Sequence, residues 1–236
     1  MVAEKYAKFP RRTACGKLGP SENLRTGNNR DGNPLILSRR HGSLQDRFDG
    51  RRVADALAAH RRRYDFWDDD RKMIEQASFF FIATSFGEHV DCSMRSGAPG
   101  FIHITGPGTL EFPEYDGNSM YRTLGNISRN PNVGLLFVKF DGQSYRIRIN
   151  GNATILDDPK TLARHHAAKL VVRVQCELFS NCPRAVHDIP NDRLSVHVPS
   201  PGRAPPAPEW KSRDYIKDIL PANDPHVVAN DEFPIS

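Results

Sequence analysis

The sequence predicts a mainly β protein with a few helices, folded as an antiparallel barrel or sandwich. Three observations carry that expectation. Between residues 78 and 179, short runs rich in β-branched and aromatic residues follow one another closely. Turn residues separate them, among them Gly87, Gly97, Pro99, Gly106 and Gly108. Asp141-Gly142, set between two such runs, is a pair that readily supplies the positive φ angles of a tight hairpin.

Taken in chain order, residues 1–45 read as a basic flexible arm, 46–77 as a helical lead-in, 78–188 as the β domain and 189–236 as a Pro-rich tail. The arm is rich in Gly, Asn, Arg and Ser and has almost no apolar periodicity. In the lead-in, Val53, Leu57 and Ala58, then Phe66, Trp67, Met73 and Ile74, suit two short helices, with Asp65 and Asp68 as starts. Residues 78–85 are almost continuously apolar, as in a strand buried on both faces. Further strands are expected at 89–94, 100–104 and 109–112. Asn118 or Ser119 would then cap a helix whose Met120, Leu124 and Ile127 share one face, and Asn130-Pro131 would stop it. Strands at 132–140, 143–150 and 152–156 follow, then a short helix opened by Asp158-Pro159, then a last strand at 170–179. Beyond it, Pro199, Pro201, Pro205, Pro206 and Pro208 suit an extended arm.

Composition bounds the function. Of 236 residues, 38% are hydrophobic and 26% charged, and the mean hydropathy is −0.57, which allows one core with poorly buried extensions. The net charge of +5 is unevenly spread: residues 1–64 carry +9 and the rest −4. No recognised nucleic-acid module accompanies the basic arm, so it reads as a solubilising and packing extension, and nucleic acid is not an expected partner. Cys15, Cys92, Cys176 and Cys182 form no Cys-x-x-Cys pair, which suits reduced, inert thiols in a cytoplasm. No apolar run approaches the roughly 20 residues of a membrane span, and no secretory signal is evident, so a cytoplasmic protein is expected. No residue set has the spacing of a metal site or of a hydrolytic triad. His165-His166 reads as an exposed pair on a helix.

Two segments carry chemistry. Asp91-Cys92-Ser93-Met94-Arg95 ends a strand with hydroxyl and cationic groups. The segment from Phe112 to Arg122 runs from a strand end through a polar loop into a helix. Asn118 and Ser119 at that helix start, with Arg95 and Arg122 nearby, make a ready phosphate site. Phe112, Pro113 and Tyr115 could wall a flat ring. Each signal is weak alone; their order along the chain is what counts.

That order resembles the pyridoxamine 5'-phosphate oxidase-like flavin-binding proteins. The resemblance rests on Phe79-Phe80-Phe81-Ile82-Ala83-Thr84, Asp91-Cys92-Ser93, Pro99-Gly100-Phe101, Tyr115-Asp116-Gly117-Asn118-Ser119-Met120, Gly125-Asn126-Ile127 and Asn130-Pro131-Asn132-Val133-Gly134-Leu135-Leu136-Phe137. Asn181-Cys182-Pro183-Arg184 resembles a further motif of the same group. The resemblance implies an antiparallel Greek-key split barrel over 78–188 that forms a homodimer, with FMN in a cleft between subunits and a small molecule as substrate. It implies that Ser93, Met94 and Arg95 line the flavin, and that Phe112, Pro113 and Tyr115 flank it. Asn118, Ser119, Met120 and Arg122 would address the phosphate, Asn126 would complete the loop, and Arg184 would reach in from the last strand. In related proteins deazaflavin or haem takes the place of FMN.

The departures narrow the activity. The oxidase that gives the family its name carries a Ser-Arg-Lys run where this chain has Asn118-Ser119-Met120, and its Trp- and Arg-rich C-terminal segment has no counterpart here. An FMN oxidoreductase with another substrate is therefore expected, with a true pyridoxamine 5'-phosphate oxidase or a non-catalytic flavin- or haem-binding protein as alternatives.

Overall fold

The structure, a computed structural model, describes residues 39–61, 63–115, 117–141, 145–181, 187–193, 195–196, 206, 209–222 and 224. Three helices lead in: α1 (Arg39–Arg47), α2 (Arg51–Arg61) and α3 (Asp68–Glu75). Four strands follow, β1 (Phe79–Phe86), β2 (His89–Ser96), β3 (His103–Gly106) and β4 (Thr109–Glu114). After α4 (Arg122–Ile127) come β5 (Asn132–Val138) and β6 (Arg146–Leu156), and after α5 (Pro159–Leu162) comes β7 (Leu170–Asn181). The expected arm up to residue 38, Gly142 of the hairpin turn and most of the tail prolines lie outside the described residues.

Local chemistry explains the helices. Asp68, Asp69 and Asp70 fill the first turn of α3, where negative charge suits the helix dipole. Asp70 is also turned inward and fully buried, so it must be satisfied: it pairs with Arg63, accepts from the Trp67 N–H at 3.0 Å and accepts from the Tyr145 hydroxyl at 3.2 Å. That network pins α3 against the start of β6. Asp158 caps α5 by accepting from the Thr161 N–H at 2.9 Å, with Pro159 in the first turn.

The seven strands make one antiparallel sheet in the order β2-β1-β5-β6-β7-β4-β3. Alternating residues of β1, β5 and β6, such as Phe80, Ile82, Leu135, Phe137, Ile147 and Ile149, are almost wholly buried on its inner face. They meet Leu110 and Phe112 from β4, and α3 and α4 add Met73, Ile74, Leu124 and Ile127. The rings of Phe80 and Phe112 lie edge to face at 4.9 Å, so β1 and β4 approach across the core although they do not pair. The two expected strands flanking Gly151 are one strand, β6, with a register shift at Asn150/Gly151. A Cβ at Gly151 would lie 2.4 Å from the Gln175 carbonyl oxygen, which explains a glycine there.

The expected mainly β split barrel is not what forms. The fold is mixed α/β, and its sheet is open: β2 and β3 stand at opposite edges, and among the described residues no ladder joins them. The reason lies in the connection between them. Gly97 donates to the Ser78 carbonyl at 3.0 Å and Gly100 to the Glu75 carbonyl at 2.8 Å, so this stretch turns back toward the end of α3 rather than extending the β2 ladder. What spans from β2 to β4 is a side-chain contact, Arg95 to Glu114. Period-two patterning establishes strands, but closure depends on how the edges meet, which no local pattern encodes.

A smaller cluster joins Val53 of α2 to Ile216 and Leu220, and His60 stacks on Tyr215 at 4.1 Å. Within the Pro-rich tail, residues 209–220 form short 3-10 turns packed on α2.

Candidate functional site

β2 is an edge strand whose successive side chains face opposite ways. Asp91, Ser93 and Arg95 point to one side, toward α4 and β4; Val90 and Met94 point to the other and are largely exposed. The loop between β4 and α4 crosses in front of the first set. Two residues of that loop, Ser119 at φ +60° and Tyr121 at φ +48°, adopt left-handed backbone, a conformation that non-glycine residues hold at a cost of about 1–3 kcal/mol. Asn118 Oδ1 accepts from the Met120 N–H at 3.0 Å and tightens the turn. The helix then begins at Arg122, two or three residues after the expected start, because Tyr121 rather than Asn118 or Ser119 holds the position before it.

Between strand and loop lies a cleft of about 420 Å³. It falls in the range of roughly 300–1,000 Å³ typical of small-molecule and cofactor sites. Of the residues expected at the site, Ser93, Arg95, Tyr115, Asn118, Ser119, Met120 and Arg122 line it. The others do not. Met94 is on the outer face of β2; Phe112 and Pro113 are buried; and Asn126 donates to the Thr84 hydroxyl at 3.1 Å, away from the cleft. Arg184 lies outside the described residues.

The lining contains carboxylates that sequence reasoning missed. Glu114 accepts from Arg95 Nε at 2.9 Å, and both side chains are largely buried, so the Arg95 charge is already matched. Asp91 accepts from the Ser93 hydroxyl at 2.8 Å and from the Thr123 hydroxyl at 3.1 Å. The Ser93 bond, set against burial and joined by Thr123 and the charges of Arg122 and Arg95, holds the Asp91 carboxyl below its ordinary value of 3.8. Arg122 reaches Asp91 at only 3.5 Å and its side chain is 63% exposed, so it is the cation with freedom to meet a ligand. Tyr121 also lines the cleft, whereas the exposed thiol of Cys92 shares the outer face of β2 with Val90 and Met94. The alternation along β2 could have found Asp91: it shares a strand face with Ser93 and Arg95, whereas Met94 does not.

The remaining sequence candidates fall elsewhere. Cys176 is buried and its thiol is pushed up to about 12, an inert group. His165 is not exposed: its ring is buried, stacks on His103 at 4.1 Å and lies 3.3 Å from Glu111. Among the described residues no cluster of His, Cys, Asp and Glu could hold a metal ion, and no helix is long and apolar enough to cross a membrane.

Residues 66–193 match the family model described as pyridoxamine 5'-phosphate oxidase. A comparison with curated proteins gives no match. Among solved structures, HupZ of Group A Streptococcus is 15% identical, with 52% of this chain and 98% of HupZ covered and a TM-score of 0.41. A conserved hypothetical protein of Mycobacterium tuberculosis, Rv2991, is 14% identical over 52% of this chain and 89% of its own, with a TM-score of 0.40. An FAD-binding protein of Mesorhizobium loti is also 14% identical, over 47% and 89%, with a TM-score of 0.36. The family match spans more than half of the sequence and takes in every strand and the whole cleft: the chain belongs to the pyridoxamine 5'-phosphate oxidase family, a group associated with flavins.

Proposed function

We propose that this chain is an FMN-binding flavoprotein, an oxidoreductase acting on an unidentified small molecule, and that it works as a homodimer. The observation that carries this reading is the convergence in one cleft of a loosely held guanidinium, several hydroxyls and two phenol rings. The donor set fits the ligand class. Arg122 and Ser119 supply cation and hydroxyl for a phosphate, while Tyr115 and Tyr121 offer flat apolar surface for a ring. Glu114 already matches the charge of Arg95, which leaves Arg122, exposed and only loosely paired with Asp91, as the cation for the phosphate.

When bound, the flavin supplies hydride transfer, and the protein's own task is to bind and orient. Arg95, fixed by Glu114, acts as a rigid part of the wall. The outer sheet face favours the dimer: Met94, Phe81 and Leu136 lie side by side across β2, β1 and β5 as an apolar row. The deciding experiment is the visible absorbance spectrum of purified protein before and after adding FMN and desalting, with any released chromophore identified by mass. A retained flavin spectrum with bands near roughly 370 and 450 nm supports the reading. A protein that stays colourless and takes up no FMN rejects it, and a Soret band moves haem ahead of it.

A further inference from the structure

We propose that Asp91 is a positioning residue that makes Ser93 a pure hydrogen-bond acceptor toward the cleft, so that this wall recognises a hydroxyl-bearing chain, in a flavin the ribityl group. The inference rests on the flavin reading above. It follows from counting protons. Each hydroxyl has one proton to donate, and an ionised carboxylate has none. Ser93 Oγ donates to Asp91 Oδ2 at 2.8 Å and Thr123 Oγ1 donates to the same oxygen at 3.1 Å, with the two hydroxyl oxygens 3.2 Å apart. Both protons are therefore committed inside the triangle. Thr123 is buried and anchors α4, whereas Ser93 is half-buried and lines the cleft, where it has only lone pairs to present.

An acceptor there cannot bind a phosphate oxygen, but it can bind an O–H. The placement agrees: Arg122, the available cation, lies 3.5 Å from the other oxygen of Asp91, so phosphate and acceptor sites are neighbours. In FMN the part of the molecule next to the phosphate is the polyhydroxylated chain. Asp91 does not itself face the ligand in this scheme; it acts through Ser93 by fixing the direction of that proton.

The test measures binding of FMN, riboflavin and lumiflavin, which lacks the ribityl chain, by flavin fluorescence, with thermal melts alongside. Wild-type protein should bind riboflavin roughly tenfold tighter than lumiflavin, the effect of one hydrogen bond to a fixed acceptor. Ser93→Ala and Asp91→Asn should bring that ratio close to one, and Ser93→Thr should restore it. A purely structural Asp91 would weaken all three ligands alike and leave the ratio unchanged. If Asp91→Asn fails to fold, Ser93→Ala alone decides. A riboflavin preference that survives Ser93→Ala overturns the proposal while leaving the flavin reading intact; wild-type protein that binds none of the three ligands overturns both.

Discussion

Phe112 and Arg122 stand at the two ends of one segment, and their surroundings give them different work. Phe112 has no exposed surface and packs edge to face on Phe80, so its contribution is to the core. Phe112→Ala should cost about 3–5 kcal/mol of stability, read as a shift in denaturant midpoint, and should leave the flavin affinity of the remaining folded protein nearly unchanged. Arg122 is exposed and makes one long ion pair, so its removal should hardly affect folding. Arg122→Ala should instead abolish the preference for FMN over riboflavin, a loss of roughly 10- to 100-fold in relative affinity if one charge-assisted hydrogen bond to phosphate goes. An unchanged FMN-to-riboflavin ratio in titrations of that variant would remove Arg122 from the phosphate site. The sequence placed both residues at the cofactor, because a motif records order along the chain and not the direction of each side chain. Asp91 shows the converse: strand alternation puts Ser93 on its face, but no local reading brings to it the Thr123 hydroxyl, thirty-two residues away.

On the outer side of β4, Glu111 is fully buried among groups from three other elements, and this arrangement makes stability depend on pH. Arg164 and His165 follow α5, Arg173 comes from β7, and His103 of β3 stacks on His165. Burial pushes Glu111 up, but hydrogen bonds from Arg164, Arg173 and His165 outweigh it and hold the carboxyl below its ordinary value of 4.5. Burial, helped by repulsion from His103 and Arg164, lowers His165 below its ordinary value of 6.5 despite the pull of Glu111. The unfolded chain therefore takes up the His165 proton before the folded one does, so stability falls as pH drops below 6.5. Glu111 adds a second loss at lower pH, since stability from a depressed carboxylate is present above 4.5 and lost as pH falls through its folded value. His165→Gln should flatten the first slope and leave the second, as followed by urea unfolding across the pH range. An identical slope in wild type and variant would show that His165 is not the group that titrates. The strands here were legible as strands, and Asp158-Pro159 announced α5. That the segment after α5 brings Arg164 and His165 onto Glu111 of β4, and so buries His165, was not legible, since it depends on contacts far apart in sequence.

An open sheet has two edges, and this molecule treats them differently. β3 is four residues long, too short to template much pairing. β2 is twice that length and presents Val90 and Met94, 73% and 56% exposed, on its outer face. Met94 lies beside Phe81 and Leu136 in register, and Phe79 and Val138 extend the apolar surface, so the patch is continuous across three strands rather than a scatter of single residues. Natural sheets protect such edges with charge, proline or cover. Neither Val90 nor Met94 provides any of these, and a second copy of the chain would bury the whole face by twofold symmetry. Because both side chains already face solvent, replacing them with glutamate should change the stability of the single chain by no more than about 0.5 kcal/mol. The double variant Val90→Glu, Met94→Glu should therefore separate assembly from folding. Sedimentation equilibrium should give wild-type protein about twice the 26.6 kDa chain mass and the variant the chain mass alone, with similar thermal midpoints. A wild-type protein that sediments as a monomer at micromolar concentration would refute the dimer, and the apolar face would then need another partner to explain it.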